Sequence, residues 1–176
     1  SFEWDFGDGT GRKASKDTLM HVYTNDNSTV RTDTFQLVVE DTVSGCTDTI
    51  SREIRIYPSV NADFTIQDTS GCHPDSVHFE NSSVYISTSD TTGLTYDWDF
   101  GDGSSSSLYS PSHTYVNTSD TTASFPVELI VNSPYICSDT TRDTVHVSKY
   151  VKADFTVERA DSCSPFNVRI NNHSRG

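Results

Sequence analysis

The sequence has few of the features that direct a protein to membranes or nucleic acids. No apolar run approaches the roughly 18 to 20 residues that a membrane-spanning helix requires. Only 12 of the 176 residues are Lys or Arg, against 25 Asp and Glu. The net charge of -13 would repel phosphate backbones and anionic lipid headgroups. The composition therefore predicts neither nucleic-acid binding nor insertion into a membrane.

Residues that favour helices are also scarce. The chain has one Met and few Ala, and 19 of its 25 acidic residues are Asp instead of Glu. Ser and Thr together account for 49 residues, while Val, Ile, Tyr and Phe are abundant and interrupted by clusters of Asn, Asp, Gly and Ser. This composition predicts an all-β chain.

Several short motifs occur twice at nearly constant spacing. The matched pairs are residues 46–49 and 137–140, 62–66 and 153–157, 72–74 and 163–165, 4–9 and 98–103, and 21–23 and 113–115. The offsets lie between 91 and 94 residues, which is too long for a solenoid unit and is typical of sandwich domains in tandem. Residues 1–57 then carry the later strands of one domain, residues 61–148 form a complete domain, and residues 152–176 hold the first two strands of another. Because two strands cannot bury a core alone, we expect the natural chain to continue on both sides.

Alternating apolar residues trace the strands of the complete segment. Tyr96, Trp98 and Phe100 form one inward row, which favours a core role for the tryptophan over an exposed sugar-binding platform. A tight turn follows at residues 101–103, and residues 108–115 are expected to be extended. The other inward rows are Ala62, Phe64 and Ile66, then Val77 and Phe79, then Val127, Leu129 and Val131, with a last strand over 141–147. About seven strands in roughly 90 residues predict an immunoglobulin-like β-sandwich.

Familiar catalytic motifs are missing. The chain has no nucleophile elbow (G-x-S-x-G), zincin motif (H-E-x-x-H), P-loop or dinucleotide fingerprint. Ser, His and Asp are plentiful enough for a triad assembled in space, but an active site on a repeated domain should show a feature that does not repeat, and none is found. We therefore predict a non-enzymatic protein without a cofactor.

Two of the repeated motifs resemble the signature of the polycystic kidney disease (PKD) domain family, which is a WDFGDG strand and turn followed by an HxY strand end. Residues 96–103 read YDWDFGDG and residues 111–115 read PSHTY, and both motifs have a second copy upstream. The resemblance implies tandem Ig-like domains. The accompanying Gly-Cys-x-Pro and Cys-Ser/Thr-Asp-Thr elements are similar to those of large surface adhesins from gliding and other type IX-secreting bacteria, which implies an extracellular array at the cell surface.

This resemblance implies a structural segment of a secreted stalk, adhesin or filament. The expected partners are neighbouring PKD domains of the same chain, joined by short linkers such as residues 57–61, in which Pro58 fixes one φ angle. Lateral packing of copies in a filament is a second hypothesis. PKD modules also accompany secreted collagenases and chitinases, so the alternative is an accessory module that binds a glycan or a protein for a hydrolase.

The repeated glycine turn is a candidate calcium site. Asp99 and Asp102, like Asp5 and Asp8, place two carboxylates around the turn, although the further ligands and distal Glu of an EF-type loop are missing. The alternative is that these carboxylates accept backbone N–H bonds and fix the turn. For the repeated His21 and His113, a histidine bonded to the turn is favoured over a metal ligand, because no second His or Cys lies nearby at ligand spacing. The histidines that do not repeat, His73, His78, His146 and His173, are expected at the surface.

Asp is followed by Ser or Thr more often than the composition predicts. Eleven of the 19 Asp residues are followed in this way, against an expectation of about five. Eight of these pairs continue with an aliphatic residue or Thr, which is similar to the O-glycosylation acceptor of the same bacterial group. The candidate acceptors are Thr18, Thr42, Thr49, Ser76, Thr91, Thr121, Thr140 and Thr144. The alternative, that Asp-Thr pairs are common because they suit turns and strand ends in any β-protein, explains the excess equally well. Asn-x-Ser/Thr sequons, such as that at Asn117, carry little weight in a chain so rich in Ser and Thr.

The four cysteines, Cys46, Cys72, Cys137 and Cys163, occupy two repeating positions and should be disulfide bonded in an exported protein. Cys72 follows the first strand of its domain and Cys137 precedes the last, so we expect them at opposite poles, roughly 20 Å or more apart. Bridged Cα atoms lie within about 7 Å. Strand direction also argues against a bond between Cys46 and Cys72. We predict bonds across domain junctions, from Cys72 to the following repeat and from Cys137 to the repeat before Ser1, with none among the four cysteines.

Overall fold

The computed structural model describes residues 1–15, 18–67, 70–158 and 167–176. These residues form sixteen β-strands joined by turns and loops, and no α-helix occurs among them. No helix in this part of the chain is therefore long and apolar enough to cross a membrane. The prediction of an all-β chain is confirmed.

The first four strands form an antiparallel sheet with the order β2-β1-β3-β4. They are β1 (Phe2–Asp5), β2 (Arg12–Ala14), β3 (Arg31–Glu40) and β4 (Thr47–Ile56). Trp4 lies opposite Leu37 in the β1–β3 register, so both side chains point to the same face of the sheet. Both are only half-buried.

Ten strands follow between residues 60 and 147. They are β5 (Val60–Asn61), β6 (Phe64–Ile66), β7 (Ser70–Gly71), β8 (Asp75–Asn81), β9 (Val84–Tyr85), β10 (Thr95–Asp99), β11 (Ser105–Ser106), β12 (Ser112–Tyr115), β13 (Ala123–Asn132) and β14 (Ser138–Val147). One sheet has the order β11-β10-β13-β14-β7, a second has the order β12-β8-β6, and β5 pairs with β9.

Aromatic side chains pack the smaller of these sheets against the larger one. Phe64 of β6 and Phe79 of β8 contact Trp98 of β10, with ring centroids 5.0 and 5.5 Å apart. Phe79 also lies 5.3 Å from Phe100. Trp98 is 1% exposed, which confirms its predicted place in the core, and large aromatic rings supply much of the apolar area that such a core buries. The predicted immunoglobulin-like sandwich is confirmed.

Three local predictions are corrected. The strand predicted over residues 108–115 begins only at Ser112, because the chain turns at Leu108, whose carbonyl oxygen accepts the indole N–H of Trp98 at 2.9 Å. The last strand begins at Ser138 instead of residue 141, since β14 matches the length of β13. His73 is half-buried, because its Nδ1 accepts the N–H of Asn117 at 3.0 Å.

The chain ends with an antiparallel hairpin of β15 (Phe155–Val157) and β16 (Ile170–Asn172). In its register Phe155 lies opposite Asn172 and Val157 lies opposite Ile170. Because these pairs alternate with Thr156 and Asn171, the apolar residues share one face of the hairpin.

The described residues group into two compact units. The first comprises Ser1–Ala62, Ser83–Thr95 and Val131–Asp139, and the second comprises Asp63–Ser82, Tyr96–Ile130 and Thr140–Gly176. The first unit therefore combines the four-stranded sheet with the β5–β9 pair and the turn between β13 and β14. The second unit contains the aromatic core and the final hairpin. This grouping does not test the segment boundaries 1–57, 61–148 and 152–176, which stay predictions.

Candidate functional site

Two aspartates fix the glycine turn that follows β10. Asp99 Oδ1 accepts the N–H of Gly101 at 2.9 Å, and Asp102 Oδ1 accepts the N–H of Ser104 at 3.0 Å. The Ser104 hydroxyl also donates to Asp102 Oδ1. These are the local bonds by which Asp stabilises turns.

His113 of β12 connects this turn to the core. Its Nε2 lies 2.8 Å from Asp102 Oδ2, and its ring stacks on Phe100 with centroids 4.4 Å apart. Tyr115 packs edge-on against His113 and donates its hydroxyl to Phe100 O at 3.1 Å. The two sequence motifs therefore meet in a single network, which we call the Asp–His network.

The first segment contains a second copy of the Asp–His network. His21 Nε2 lies 2.6 Å from Asp8 Oδ2, and the His21 ring stacks on Phe6 with centroids 3.9 Å apart. Tyr23 donates its hydroxyl to Phe6 O at 3.0 Å. The structure thus holds both repeated histidines against the turn, as the sequence favoured.

The glycine after each WDF triplet is required for two physical reasons. Gly101 has a φ of 76°, where side chains are disfavoured, and a Cβ added there would lie 2.3 Å from Pro126 O. Gly7 has a φ of 75°, and its added Cβ would lie 2.3 Å from Thr34 O. The turn therefore packs directly against the backbone of a neighbouring chain segment in both copies.

A repeated asparagine belongs to the same framework, but its structural role was not predicted from the sequence. Asn117 Nδ2 donates to Thr121 O at 2.8 Å and to Val147 O at 2.9 Å. Asn25 Nδ2 makes the corresponding bonds to Thr29 O at 2.8 Å and to a carbonyl at the end of β4 at 2.7 Å. The signal was present, because Asn follows the HxY motif by two residues in both copies. Asn117 is 3% exposed, so its sequon marks a structural amide.

The Asp–His network lowers the pKa of its carboxylates. Burial opposes the ionisation of Asp102, but hydrogen bonds from Ser104 and His113 outweigh it and lower the pKa of Asp102 to about 2. Hydrogen bonds from Thr10 and from its own histidine hold the pKa of Asp8 well below the usual range. Both carboxylates are therefore anionic at neutral pH.

The calcium candidates Asp99 and Asp102 are already hydrogen bonded within the protein. Across the ranges that the structure describes, no group of three or more His, Cys, Asp or Glu side chains is arranged to hold a metal ion. A calcium ion at this turn would have to compete with these bonds. Calcium binding stays a hypothesis.

The linker after β4 packs through its side chains. Tyr57 stacks on Tyr135 of the β13–β14 turn with ring centroids 5.3 Å apart, and Pro58 is fully buried. In the same compact unit, Asp90 accepts a hydrogen bond from Ser28, and this bond is the largest of the causes that lower the pKa of Asp90 to about 2.

The backbone of this linker is also paired. Ser59 O accepts the N–H of Ile86 at 2.9 Å. Val60 then pairs with Tyr85 in the β5–β9 ladder. Residues 57–61 are therefore part of a folded unit and do not behave as a free tether.

Three cysteines lie in the described residues, and Cys163 lies outside them. Cys46 and Cys72 are exposed, Cys137 is half-buried, and none of the three is bonded to another. Gly71, which precedes Cys72, pairs with Val147 at the end of β14. Cys137 immediately precedes Ser138, the first residue of β14. Cys72 and Cys137 therefore adjoin opposite ends of a strand roughly 30 Å long at about 3.3 Å per residue. The bonds across domain junctions stay a prediction.

All eight candidate glycosylation acceptors lie in the described chain. Thr91 and Thr144 are half-buried, and the other six are exposed. Some of the preceding aspartates accept backbone N–H bonds, as Asp139 does from Ala62 at 2.9 Å and Asp143 does from Thr144 at 2.7 Å. These contacts support the alternative that the Asp-Thr pairs stabilise turns and strand ends through hydrogen bonds to the backbone. Glycosylation stays a prediction.

Paired sheets, an aromatic core and a turn tied to the core by histidine define an immunoglobulin-like β-sandwich module. The chain belongs to the PKD domain family, whose family model matches residues 60–147. PKD domains are generally non-catalytic structural or binding modules. A comparison with curated proteins found no match.

Several solved structures are similar to this chain. The PKD1 domain of Vibrio anguillarum Epp is 29% identical, with 52% of this chain and 95% of that chain covered and a TM-score of 0.41. The PKD1 domain of the Vibrio cholerae metalloprotease PrtV is 27% identical, with 53% and 99% covered and a TM-score of 0.37. A structure of carbohydrate-binding modules from the β-sandwich superfamily is 24% identical, with 57% and 43% covered and a TM-score of 0.44.

Proposed function

We propose that this chain is a non-enzymatic segment of an extracellular stalk, adhesin or filament built from tandem PKD domains. The Asp–His network supports this proposal, because its side chains bond to the turn and to the core of the same sandwich. The same set of contacts recurs in the first segment. A repeated network of this kind serves the fold of each repeat.

The packed linker carries the proposal. A flexible tether would leave residues 57–61 without partners, whereas here the Tyr57 ring stacks on Tyr135 and Val60 enters a strand pair. Bending at this point requires the loss of the ring contact and of the backbone pairing. Such a junction transmits orientation and load along a chain of domains.

The surface charge fits the same role. The net charge of -13 favours solubility of a long polymer and opposes its collapse onto other copies. All 12 basic residues lie within residues 12–55 or 142–175, so residues 56–141 carry no Lys or Arg.

The test is a measurement of the stiffness of the linker. Cys137 and Cys163 are replaced by Ser, so that nitroxide labels react with Cys46 and Cys72, which lie on either side of residues 57–61. Double electron–electron resonance then gives the distribution of label distances. A narrow distribution is expected, and Tyr135→Ser should broaden it.

Ile136→Ser provides the matched control, because this neighbour in the same turn is 88% exposed. It should leave the distribution unchanged. A broad distribution for the chain with Tyr135 intact would show that the linker bends freely and would overturn the proposed mechanical role.

A further inference from the structure

Each glycine turn contains an Asp-Gly pair, the aspartate dipeptide that isomerises most readily because glycine has no side chain to hinder the reaction. The pairs are Asp8-Gly9 and Asp102-Gly103, and Asp-Gly occurs nowhere else in the chain. The glycine nitrogen attacks Cγ of the aspartate, and the N–H proton leaves with the carboxyl OH as water. Water then opens the resulting five-membered imide. Opening at the backbone carbonyl gives isoaspartate, in which the main chain runs through the side chain.

The turn requires both residues of this pair. Gly103 has a φ of 91°, where glycine is favoured over residues with a side chain. The carboxylate of Asp102 accepts the N–H of Ser104 and contacts His113. Replacement of either residue would therefore weaken the turn, so the reactive dipeptide is built into the motif.

Packing does not shield the Asp-Gly pair. Asp102 and Gly103 are both exposed. A Cβ added at Gly103 would meet open space, whereas one added at Gly101 would lie 2.3 Å from Pro126 O. Neighbouring chain segments therefore do not prevent Asp102 from approaching the nitrogen of Gly103, and any restraint has to come from bonds to the carboxylate.

Hydrogen bonds hold both oxygens of that carboxylate. Asp102 Oδ1 accepts the N–H of Ser104 at 3.0 Å and also accepts the Ser104 hydroxyl. Asp102 Oδ2 lies 2.8 Å from His113 Nε2, and the His113 ring is itself held by stacking on Phe100. Attack at Cγ requires the carboxyl group to rotate toward Gly103 and one oxygen to leave. Every one of these bonds opposes that movement.

The same bonds keep the carboxylate in its unreactive form. The imide forms from the protonated acid, because an ionised carboxylate is a poor electrophile. Burial opposes the ionisation of Asp102, but hydrogen bonds from Ser104 and His113 lower the pKa of Asp102 to about 2. The share of the reactive acid at neutral pH is therefore smaller than for an aspartate with an ordinary pKa.

We propose that the Asp–His network has a second function, which is to protect the Asp102-Gly103 pair from isomerisation. Isoaspartate adds one carbon to the main chain between β10 and β11 and would release the turn from the core. The first copy is restrained in the same way, since Asp8 Oδ1 accepts the N–H of Thr10 at 3.0 Å and Asp8 Oδ2 lies 2.6 Å from His21 Nε2. This inference does not depend on the stalk proposal, because it concerns chemistry within one turn.

The test is an ageing experiment on the 176-residue chain at neutral pH, either folded in buffer or unfolded in guanidinium chloride. Chymotrypsin cleaves after Phe100 and Tyr109 and releases the peptide 101–109. Its isoaspartate form has the same mass but a different chromatographic retention, and protein isoaspartate methyltransferase methylates it. Isoaspartate should form at residue 102 at least tenfold faster in the unfolded chain than in the folded one.

A single substitution separates the network from the rest of the fold. His113→Phe keeps an aromatic ring beside Phe100 but removes the nitrogen that contacts Asp102. The folded variant should form isoaspartate at residue 102 at least tenfold faster than the unmodified folded chain, with no change at Asp8. His78→Phe is the matched control, because His78 lies on the neighbouring strand β8 opposite Ser112 and is exposed. It should leave the rate at Asp102 unchanged.

A second control tests whether general loss of stability explains the result. Val145→Ala weakens the core from β14, which is not adjacent to β10, and leaves the Asp–His network in place. Its rate at Asp102 should equal that of the unmodified chain. A Val145→Ala rate as high as that of His113→Phe would overturn the proposal.

Two further results would also overturn it. They are equal rates in the folded and unfolded chain, and a His113→Phe rate equal to that of the unmodified chain. If His113→Phe does not fold, as judged by circular dichroism, Ser104→Ala replaces it, because this change removes the hydroxyl that donates to Asp102 Oδ1. An unchanged rate in Ser104→Ala would likewise contradict the protective role.

Discussion

The imidazole Nε2 of His113 lies 2.8 Å from Oδ2 of Asp102. This contact joins the end strand of one sheet to the turn of the other, and stacking on Phe100 fixes the plane of the imidazole. Hydrogen bonds to charged groups contribute about 1.5 to 3 kcal/mol each to stability. The pair therefore attaches the turn at the surface to the core of the sandwich.

The first prediction concerns the acid stability of the complete sandwich. The pKa of Asp102 falls from 3.8 to about 2 on folding. A lowered folded-state pKa means that the stabilisation is fully present above about pH 4 and is lost as the pH falls toward 2. Asp102→Asn should be less stable than the unmodified chain at pH 5, and the difference should shrink between pH 4 and pH 2. Urea unfolding measures it when followed by tryptophan fluorescence in a Trp4→Phe background, where Trp98 is the one remaining tryptophan.

Asp99→Asn is the control for this experiment, because Asp99 accepts one local N–H bond and makes no contact with His113. Its loss of stability at pH 5 should be smaller. A difference between Asp102→Asn and the unmodified chain that stays constant from pH 5 to pH 2 would contradict the assignment.

The second prediction compares two glycines of one turn. Gly101 and Gly103 both have positive φ angles, of 76° and 91°, but an added Cβ meets Pro126 O only at Gly101 and meets open space at Gly103. Gly103→Ala should cost about 1 kcal/mol through backbone strain. Gly101→Ala should cost about 1 to 3 kcal/mol more because of the clash. Equal losses in thermal or urea unfolding would show that the close approach is unimportant.

The third prediction concerns the cysteines in oxidised natural material. We expect Cys72 and Cys137 each to be bonded to a cysteine of a neighbouring repeat, because they adjoin opposite ends of β14. Peptide mapping without reduction should therefore find neither joined to the other. A Cys72–Cys137 peptide, or free thiols at both positions, would show that the junctions are not cross-linked.

The fourth prediction concerns modification of the Asp-Ser and Asp-Thr pairs. At least one of the eight acceptors should carry an O-linked sugar, and the exposed Thr42 and Thr49 are accessible to an enzyme. Intact-mass analysis of protein from the natural host tests this, with recombinant chain made in a host without the glycosylation system as the control. Identical masses for the two preparations would refute the prediction.

The local features of this protein follow from its sequence. Alternation in Tyr96, Trp98 and Phe100 predicts a buried face, because successive side chains of a strand point to opposite sides. The paired glycines of the turn predict positive φ angles, because glycine alone adopts them without strain. The repeat spacing predicts that both copies share the glycine turn, and the structure confirms that they do, with a histidine stacked beside the turn in each copy.

Only the tertiary structure decides which distant groups meet. The Asp102 carboxylate and the His113 imidazole each appear in the sequence as separate candidates, and the amide of Asn117 appears only as part of a sequon. Folding brings the first two together and places Asn117 Nδ2 within 2.9 Å of Val147 O. The stack of Tyr57 on Tyr135 arises in the same way. Periodicity describes which face a residue occupies, but contacts between separate strands depend on how sheets pack and where turns place their ends, and that information is absent from any local pattern.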